Sequence, residues 1–506
     1  MTALETAREL LPAWVRWLPW IAAALLCTSA YVTTQIAIRV SLKALPDGEH
    51  WTERARVAFG PRQAAQMSRV IHLTAALIGS VAWANAWATP APWLASELMV
   101  IFSWLGPLFA SFQLEHRLRG VPLRRLFRSW LASQIALMPA LAVMMLGLPF
   151  ASIAGLPGVV GAAVTHALVA VLSLGYGLEL AVVLGLARAA PERLRKAVEQ
   201  ASVRTGIKVN GVYEVDWALA NALAFPLLRR VAFTEAAMAV LDDAQLESVA
   251  AHELGHLSEP LASRLLRPLV VVALAAVVLW GPRSFAIDLP HLLGALAVVG
   301  GLLILVSRLA RGGEQHADAT AKDGAGVYAG ALETIYKQNL VPAVLRKGGA
   351  HGHLYDRLTA AGSPPSWPRP QPPARAGPVA RMAVVVVPIT LMVLGATFRV
   401  APPQSNLDAQ LAIGLGDRSP WPPAWLGSTA EQPGDAVTFE RAALALAPTN
   451  VWVMSELASA QAHAGQCTEA QLTLSQAELE ALKKKLSKKT SAQLEQASVV
   501  VGKECP

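Results

Sequence analysis

The stretch 250-AAHELGHLSEP-260 decides how this sequence is read. It lies in LDDAQLESVAAHELGHLS, residues 241–258, which reads as a helix with Asp242 as N-cap and Gln245 as its capping-box partner. His252, Glu253 and His256 form H-E-x-x-H. On a helix, residues i and i+4 share a face, so both imidazoles can point at one ion, and Glu253 projects from the adjoining flank. A zinc ion held there would lower the pKa of its water to roughly 7. Glu253 could then take the proton and pass it to a leaving amine.

Five residues of this kind also occur by chance. A catalytic zinc needs a third protein ligand and one open position. Downstream, 311-RGGEQHADATA-321 offers Glu314, with Asp318 four residues later on the same helical face. Glu314 can ligate zinc, and Asp318 can accept a hydrogen bond from the far nitrogen of a ligand histidine. A solvated helix face is the plainer reading of both acids. The two motifs flank a pair of apolar runs, and a transmembrane hairpin there would return Glu314 to the side that holds His252. His316, between the acids, reads as solvent-facing. His351 and His353, in a Gly- and Pro-rich segment, read as loop residues rather than donors to a transition state. Arg357 suits either a substrate carbonyl or a helix surface.

The rest of the chain sets the surroundings. Of 506 residues, 54% are hydrophobic and 15% charged, too apolar for an ordinary soluble protein of this length. The net charge of +8 does not come as a basic face interleaved with aromatics, so nucleic acid is not an expected partner. A span needs roughly 20 apolar residues. About eight candidates appear, near 17–39, 70–89, 97–114, 129–149, 158–187, 268–281, 288–309 and 382–400. The first lacks the basic start and small-residue cleavage site of a signal peptide, so it reads as an uncleaved span. Arginines crowd the segments after the first, third and fifth spans and are absent after the second and fourth. That alternation predicts an integral protein, of bacterial inner-membrane type, with the catalytic segment cytoplasmic and the C-terminal tail outside, in the periplasm.

The expected fold class is mainly α: a polytopic helical membrane protein with a small α+β zincin-type catalytic domain and a helical tail. Residues 1–187 form an N-terminal membrane region. Residues 188–381 form the catalytic domain, interrupted by a hairpin at about 267–309. A last span covers 382–401, and 402–506 is a Pro-rich linker and helical tail. Within 206–234, GIKVNGVYEVDW and RRVAFT read as strands. The tail resembles tetratricopeptide-type hairpins, with Asn450 opening a helix and Gly465, Glu469 and Ala470 at the next turn. Such a tail would bind a protein partner. For Cys467 and Cys505, a disulfide and two free thiols are both open.

Taken together, NALA at 221–224, RRVAFT, the H-E-x-x-H helix and EQHAD at 314–318 resemble the integral-membrane zinc metallopeptidases that include HtpX and the type I CAAX prenyl proteases. The resemblance covers about 200–360. It implies one zinc ion per chain, held by His252, His256 and Glu314, with Glu253 as general base and acid and Asp318 behind the ligands. It implies that Asn221 and Ala222 line the substrate cleft, and that the substrates are proteins or peptides at a lipid membrane. Family members follow the Asn-Ala element with a Gly-containing turn, whereas this chain has Phe225-Pro226-Leu227. Two other readings compete. In one, the outer tail of a sensor protease gates proteolysis. In the other, a non-catalytic scaffold binds proteins through the tail. A site-2-type intramembrane protease is disfavoured, because Asp242, Asp243, Gln245 and Glu247 keep the motif helix from being a span.

Overall fold

The computed structural model describes residues 2–42, 50–83, 87–89, 92–147, 150–151, 155–284, 289–322, 326–346, 352–374, 377–400 and 402–506. His351 lies outside them. The chain divides into two compact units. One comprises Tyr31–Val70 and Gly106–Val384, and the other Met1–Ala30, Ile71–Leu105 and Val385–Pro506.

The first unit is organised around a four-stranded sheet. Its strands are β1 (Ala187–Ala189), β2 (Gly211–Val215), β3 (Ala222–Phe225) and β4 (Arg230–Thr234), in the order β1-β2-β4-β3. β2 and β4 run parallel, with Gly211 opposite Arg230 and Val215 opposite Thr234. β1 joins β2, and β3 joins β4, in antiparallel fashion. β3 is therefore an edge strand with one side unpaired in the sheet. The two strands expected from alternation contain β2 and β4. β1 and β3 are only three and four residues long, too short to display a period.

Alternation along β4 sorts its side chains between two helical layers. Val231 and Phe233 pack with Leu194 and Val198 of the helix Glu192–Thr205 and with Leu246, Val249 and Leu254 of the motif helix Asp243–Leu257. Ala232 faces the other way, with Val215 and Phe225. There it meets Ala132 and Ala136 from one helix and Leu178 and Ala181 from another.

That second layer alters the expected membrane layout. The sequence suggested one span near 129–149. Instead, Leu123–Leu137 and Pro139–Leu146 are two helices at 93° to each other. Pro139 has no amide hydrogen to continue the first helix and begins the second. Leu123–Leu137 is thereby turned under the sheet. The fifth candidate is interrupted too: Gly155–Val171 passes through a π-turn at Leu172–Tyr176 before Gly177–Val183. Gly175 takes φ 110° in that turn, a conformation open mainly to glycine. Among the described residues, four helices are long and apolar enough to cross a membrane: Ala13–Ser41, Leu98–Arg119, Gly155–Val183 and Leu261–Trp280. Counting the bent pair as one span makes five. The remaining candidates near 70–89, 288–309 and 382–400 fall on the helices Trp51–Trp83, Leu289–Ala321 and Pro378–Val400.

The other unit contains the tail, which is helical from Asn406 onward. Asn450 caps Val451–His463, its side chain accepting from the amides of Trp452 and Val453. Ala458 and Ala462 of that helix pack against Ala470, Val501 and Cys505. Cys467 and Cys505 are joined as a disulfide, with their Cα atoms 5.2 Å apart.

Candidate metal centre and cleft

The motif helix begins with the capping box. Asp242 accepts from the Gln245 amide at 2.8 Å, and the Gln245 side chain accepts from the Asp242 amide at 3.2 Å. Two glycines let the long helix Leu289–Ala321 come close to this region. A Cβ at Gly255 would lie 2.6 Å from the Cα of Ala317, and one at Gly313 would lie 2.5 Å from the Glu259 carboxylate. With hydrogen there instead, the two helices cross tightly enough for Glu314 to reach the histidines. Ligand atoms of His252, His256 and Glu314 all lie within 4.8 Å of one another, and all three residues are buried. Glu253, 7% exposed, sits beside them.

Each imidazole is held from behind. Nδ1 of His252 lies 2.8 Å from the Tyr328 hydroxyl and 3.2 Å from Asp318 Oδ1. The Tyr328 hydroxyl donates to Asp318 at 2.6 Å, so it accepts from His252. Arg357 donates to both oxygens of Asp318, at 2.9 and 2.6 Å, and to the Tyr328 oxygen at 2.9 Å. Nδ1 of His256 donates to Glu259 at 2.8 Å. Glu259 also accepts from Arg267, at 2.9 and 3.0 Å, and from Ser263 at 2.9 Å. With both Nδ1 atoms donating, both Nε2 atoms carry lone pairs toward Glu314, which lies 3.7 Å from one and 3.6 Å from the other. Two neutral imidazole nitrogens and one carboxylate are a donor set that fits zinc and leaves a fourth position open.

The acids behind the ligands remain ionised despite burial. Burial pushes the Asp318 carboxyl up, but bonds from His252, Arg357 and Tyr328 and the Arg357 charge outweigh it and hold it well below the usual range. Glu259 follows the same logic, with burial opposed by His256, Arg267 and Ser263. Burial alone would lower His256, but the Glu259 bond and the surrounding carboxylates raise it. The Tyr328 hydroxyl is pushed far up, first by burial.

A cavity of about 600 Å³ opens in front of the three ligand residues. Its far wall is the unpaired side of the sheet: Asn221, Ala222, Leu223 and Ala224 line it. The approach to β3 is pinned at both ends. Asn339 accepts from the Ala220 amide at 3.0 Å and donates to the Ala220 carbonyl at 2.7 Å. Thr234 Oγ1 accepts from the Asn221 amide at 2.9 Å. Arg357 lines the cavity while its guanidinium engages Asp318 and Tyr328.

His316 binds Ser258 at 2.9 Å on the exposed side, away from the ligand set. His353 precedes the helix Leu354–Ala360, its Nδ1 accepting from the Leu345 amide at 3.2 Å. Sequence reasoning did not single out Tyr328, Glu259 or Asn339. Glu259 stands three residues after His256, just past the helix end, close enough in sequence for its carboxylate to have been considered as a partner of that histidine. Tyr328 and Asn339 carry no local signal.

Residues 188–367 match the profile of the family described as Peptidase family M48. A protease HtpX homolog of Tropheryma whipplei (strain TW08/27) is 32% identical over 180 residues, and one of strain Twist is 30% identical over 178. Each alignment covers 31% of this chain and 56% of the relative, so the chain spans just over half the length of these relatives. No solved structure matches the chain. The matched segment, similar to Peptidase family M48 and to the HtpX homologs, contains all three candidate metal ligands, His252, His256 and Glu314.

Proposed function

We propose that this chain, with an M48-type segment at 188–367, is a membrane-embedded zinc endopeptidase acting on membrane or membrane-associated proteins. One observation carries the reading: His252, His256 and Glu314 converge, with Glu253 beside them, at a cavity walled by an open strand edge.

His252, His256 and Glu314 would hold the ion. When bound, zinc supplies Lewis-acid polarisation of the scissile carbonyl and acidifies a water. Glu253 takes the proton from the attacking water and delivers it to the leaving nitrogen. Asp318 with Tyr328, and Glu259 with Arg267, keep each ligand imidazole in the tautomer that presents Nε2. Arg357 anchors Asp318 and Tyr328. β3 receives the peptide as an added strand, with Asn221 and Ala222 at the reacting end.

The wider context belongs to the same proposal. The arginine alternation supports an inner-membrane protein with the site cytoplasmic and the tail periplasmic. The Cys467–Cys505 bond supports an oxidising compartment for the tail. The tail, a tetratricopeptide-like module, recruits a protein partner or substrate there.

The test is metal content together with casein or membrane-peptide cleavage by detergent-purified protein, wild type beside Glu253→Gln. The reading expects one zinc per chain in both and cleavage only in the wild type, with the variant down by about 10²- to 10⁴-fold. Absence of zinc from both would sink it.

A further inference from the structure

The cleft continues past the metal centre. Trp217, Leu219, Asn339 and Val341 line both the main cavity and another of about 430 Å³, which extends among side chains from 62–69, 108–119 and 126–134. Apart from the shared wall, this second space lies outside the M48-type segment.

Its charge is unbalanced. Three guanidiniums, Arg62, Arg69 and Arg119, face one carboxylate, Glu115, and no other acid lines the cavity among the described residues. Arg62 donates to both Glu115 oxygens, at 2.6 and 2.8 Å, and to the carbonyls of Asn339 and Leu340, at 3.1 and 2.6 Å. Arg119 lies 3.1 Å from Glu115 and reaches the Ala218 carbonyl at 3.4 Å. These two arginines hold the wall of the cleft. Arg69 does not: its Nε is buried without a hydrogen-bond partner. A guanidinium nitrogen buried in this state is costly unless an acceptor joins it.

The direction of the cleft says which anion fits. The open side of β3 suits an antiparallel peptide, since antiparallel pairing is the more stable kind. Such a peptide runs opposite to β3. Its C-terminal part therefore heads toward Ala220, Leu219 and Trp217, where the basic cavity begins.

We propose that this cavity is a carboxylate subsite. It takes an acidic side chain or the terminal carboxylate of the substrate peptide, on the C-terminal side of the scissile bond, with Arg69 as the binding group. This rests on the peptidase reading, so the test separates the two. Fluorescent peptides carry Glu or Gln at successive positions after the cleaved bond, each with a free or amidated C-terminus. Binding is measured by anisotropy on full-length Glu253→Gln protein in neutral detergent, and cleavage on full-length wild type.

At one acidic position, or with the free terminus, binding and kcat/KM rise at least about tenfold, as for a hydrogen bond to a charged group. Arg69→Gln removes that preference, and Arg69→Lys restores part of it. Equal binding and cleavage of acidic and neutral peptides overturns the subsite and leaves the peptidase reading standing. Discrimination in binding with no cleavage of any peptide supports the subsite and removes the peptidase reading. If phosphatidylglycerol added to the detergent gives an Arg69-dependent change in tryptophan fluorescence while peptides are not discriminated, the cavity holds a lipid headgroup and the proposal fails. Should Arg69→Gln not fold, the wild-type Glu-to-Gln ratio still decides.

Discussion

The M48-like segment and the helical tail both bury carboxylates, and they handle the charge in opposite ways. Glu259 lies deep beside the candidate metal site and Asp318 is half-buried there, yet each has an arginine and further donors in reach, Arg357 for Asp318 and Arg267 for Glu259. Both are held below their ordinary values, Asp318 well below, by these donors. In the tail, Glu440 is 1% exposed and neither of its oxygens has a hydrogen-bond partner. Burial, and then the nearby Glu456, push it well above the ordinary carboxylate value, which favours the neutral acid there. Burial by itself therefore does not set the charge of an acid. The donors that packing brings to it do.

The two regions should accordingly respond to pH with opposite slopes. Asp318 and Glu259 have depressed folded pKa values. Their stabilisation is present above the ordinary values near 3.8 and 4.5 and is lost as pH falls below them. Glu440 has a raised one. Its contribution is full below 4.5 and is lost as pH rises through the folded value. Hydrogen exchange on the full-length protein, compared region by region from pH 2 to 9, reads both slopes, the first of them below about pH 4.5. Parallel slopes in the two regions would break the comparison.

Substitutions sharpen it further. The largest effect is expected from Asp318→Ala, which strands the buried Arg357 charge and should destabilise the catalytic segment by about 3–5 kcal/mol. Loss of exchange protection across Asp243–Leu257 would report it. Glu259→Gln should be milder, because an amide oxygen still accepts from His256. Zinc affinity should fall about 10- to 100-fold, measured by competition with a chromophoric chelator, while the fold persists. Glu440→Gln should be smallest and of opposite sign. At pH 8 it should stabilise the tail helices by about 1 kcal/mol and flatten their pH slope. A destabilised tail in that variant would mean that the ionised carboxylate is tolerated there after all.

The spacings that build the candidate site were legible in the residues, for a local reason. H-E-x-x-H, the Asp242–Gln245 cap and the Glu314–Asp318 spacing are all periodicities within single helices. Helical geometry converts such spacings into shared faces wherever the helix ends up. The same holds for Asn450 and the helix it caps.

The supporting groups were not legible in this way. Tyr328 reaches His252 across 76 positions, and Asn339 reaches Ala220 across 119. No local period links residues so far apart, and only the packing of helices on the sheet creates those contacts. The bend at Pro139 lies between the two cases. A proline there announces a break, but not that Leu123–Leu137 would turn to cover the sheet. The sequence by itself determined the helical, apolar character of the chain, the ligand types and their spacing on each helix. Only the tertiary structure decided which nitrogen of each histidine faces Glu314, which strand edge stays open and which buried acids keep their charge. Those outcomes depend on donors and walls supplied by distant segments, and a neighbourhood assembled in space leaves no mark on the spacing of any one segment.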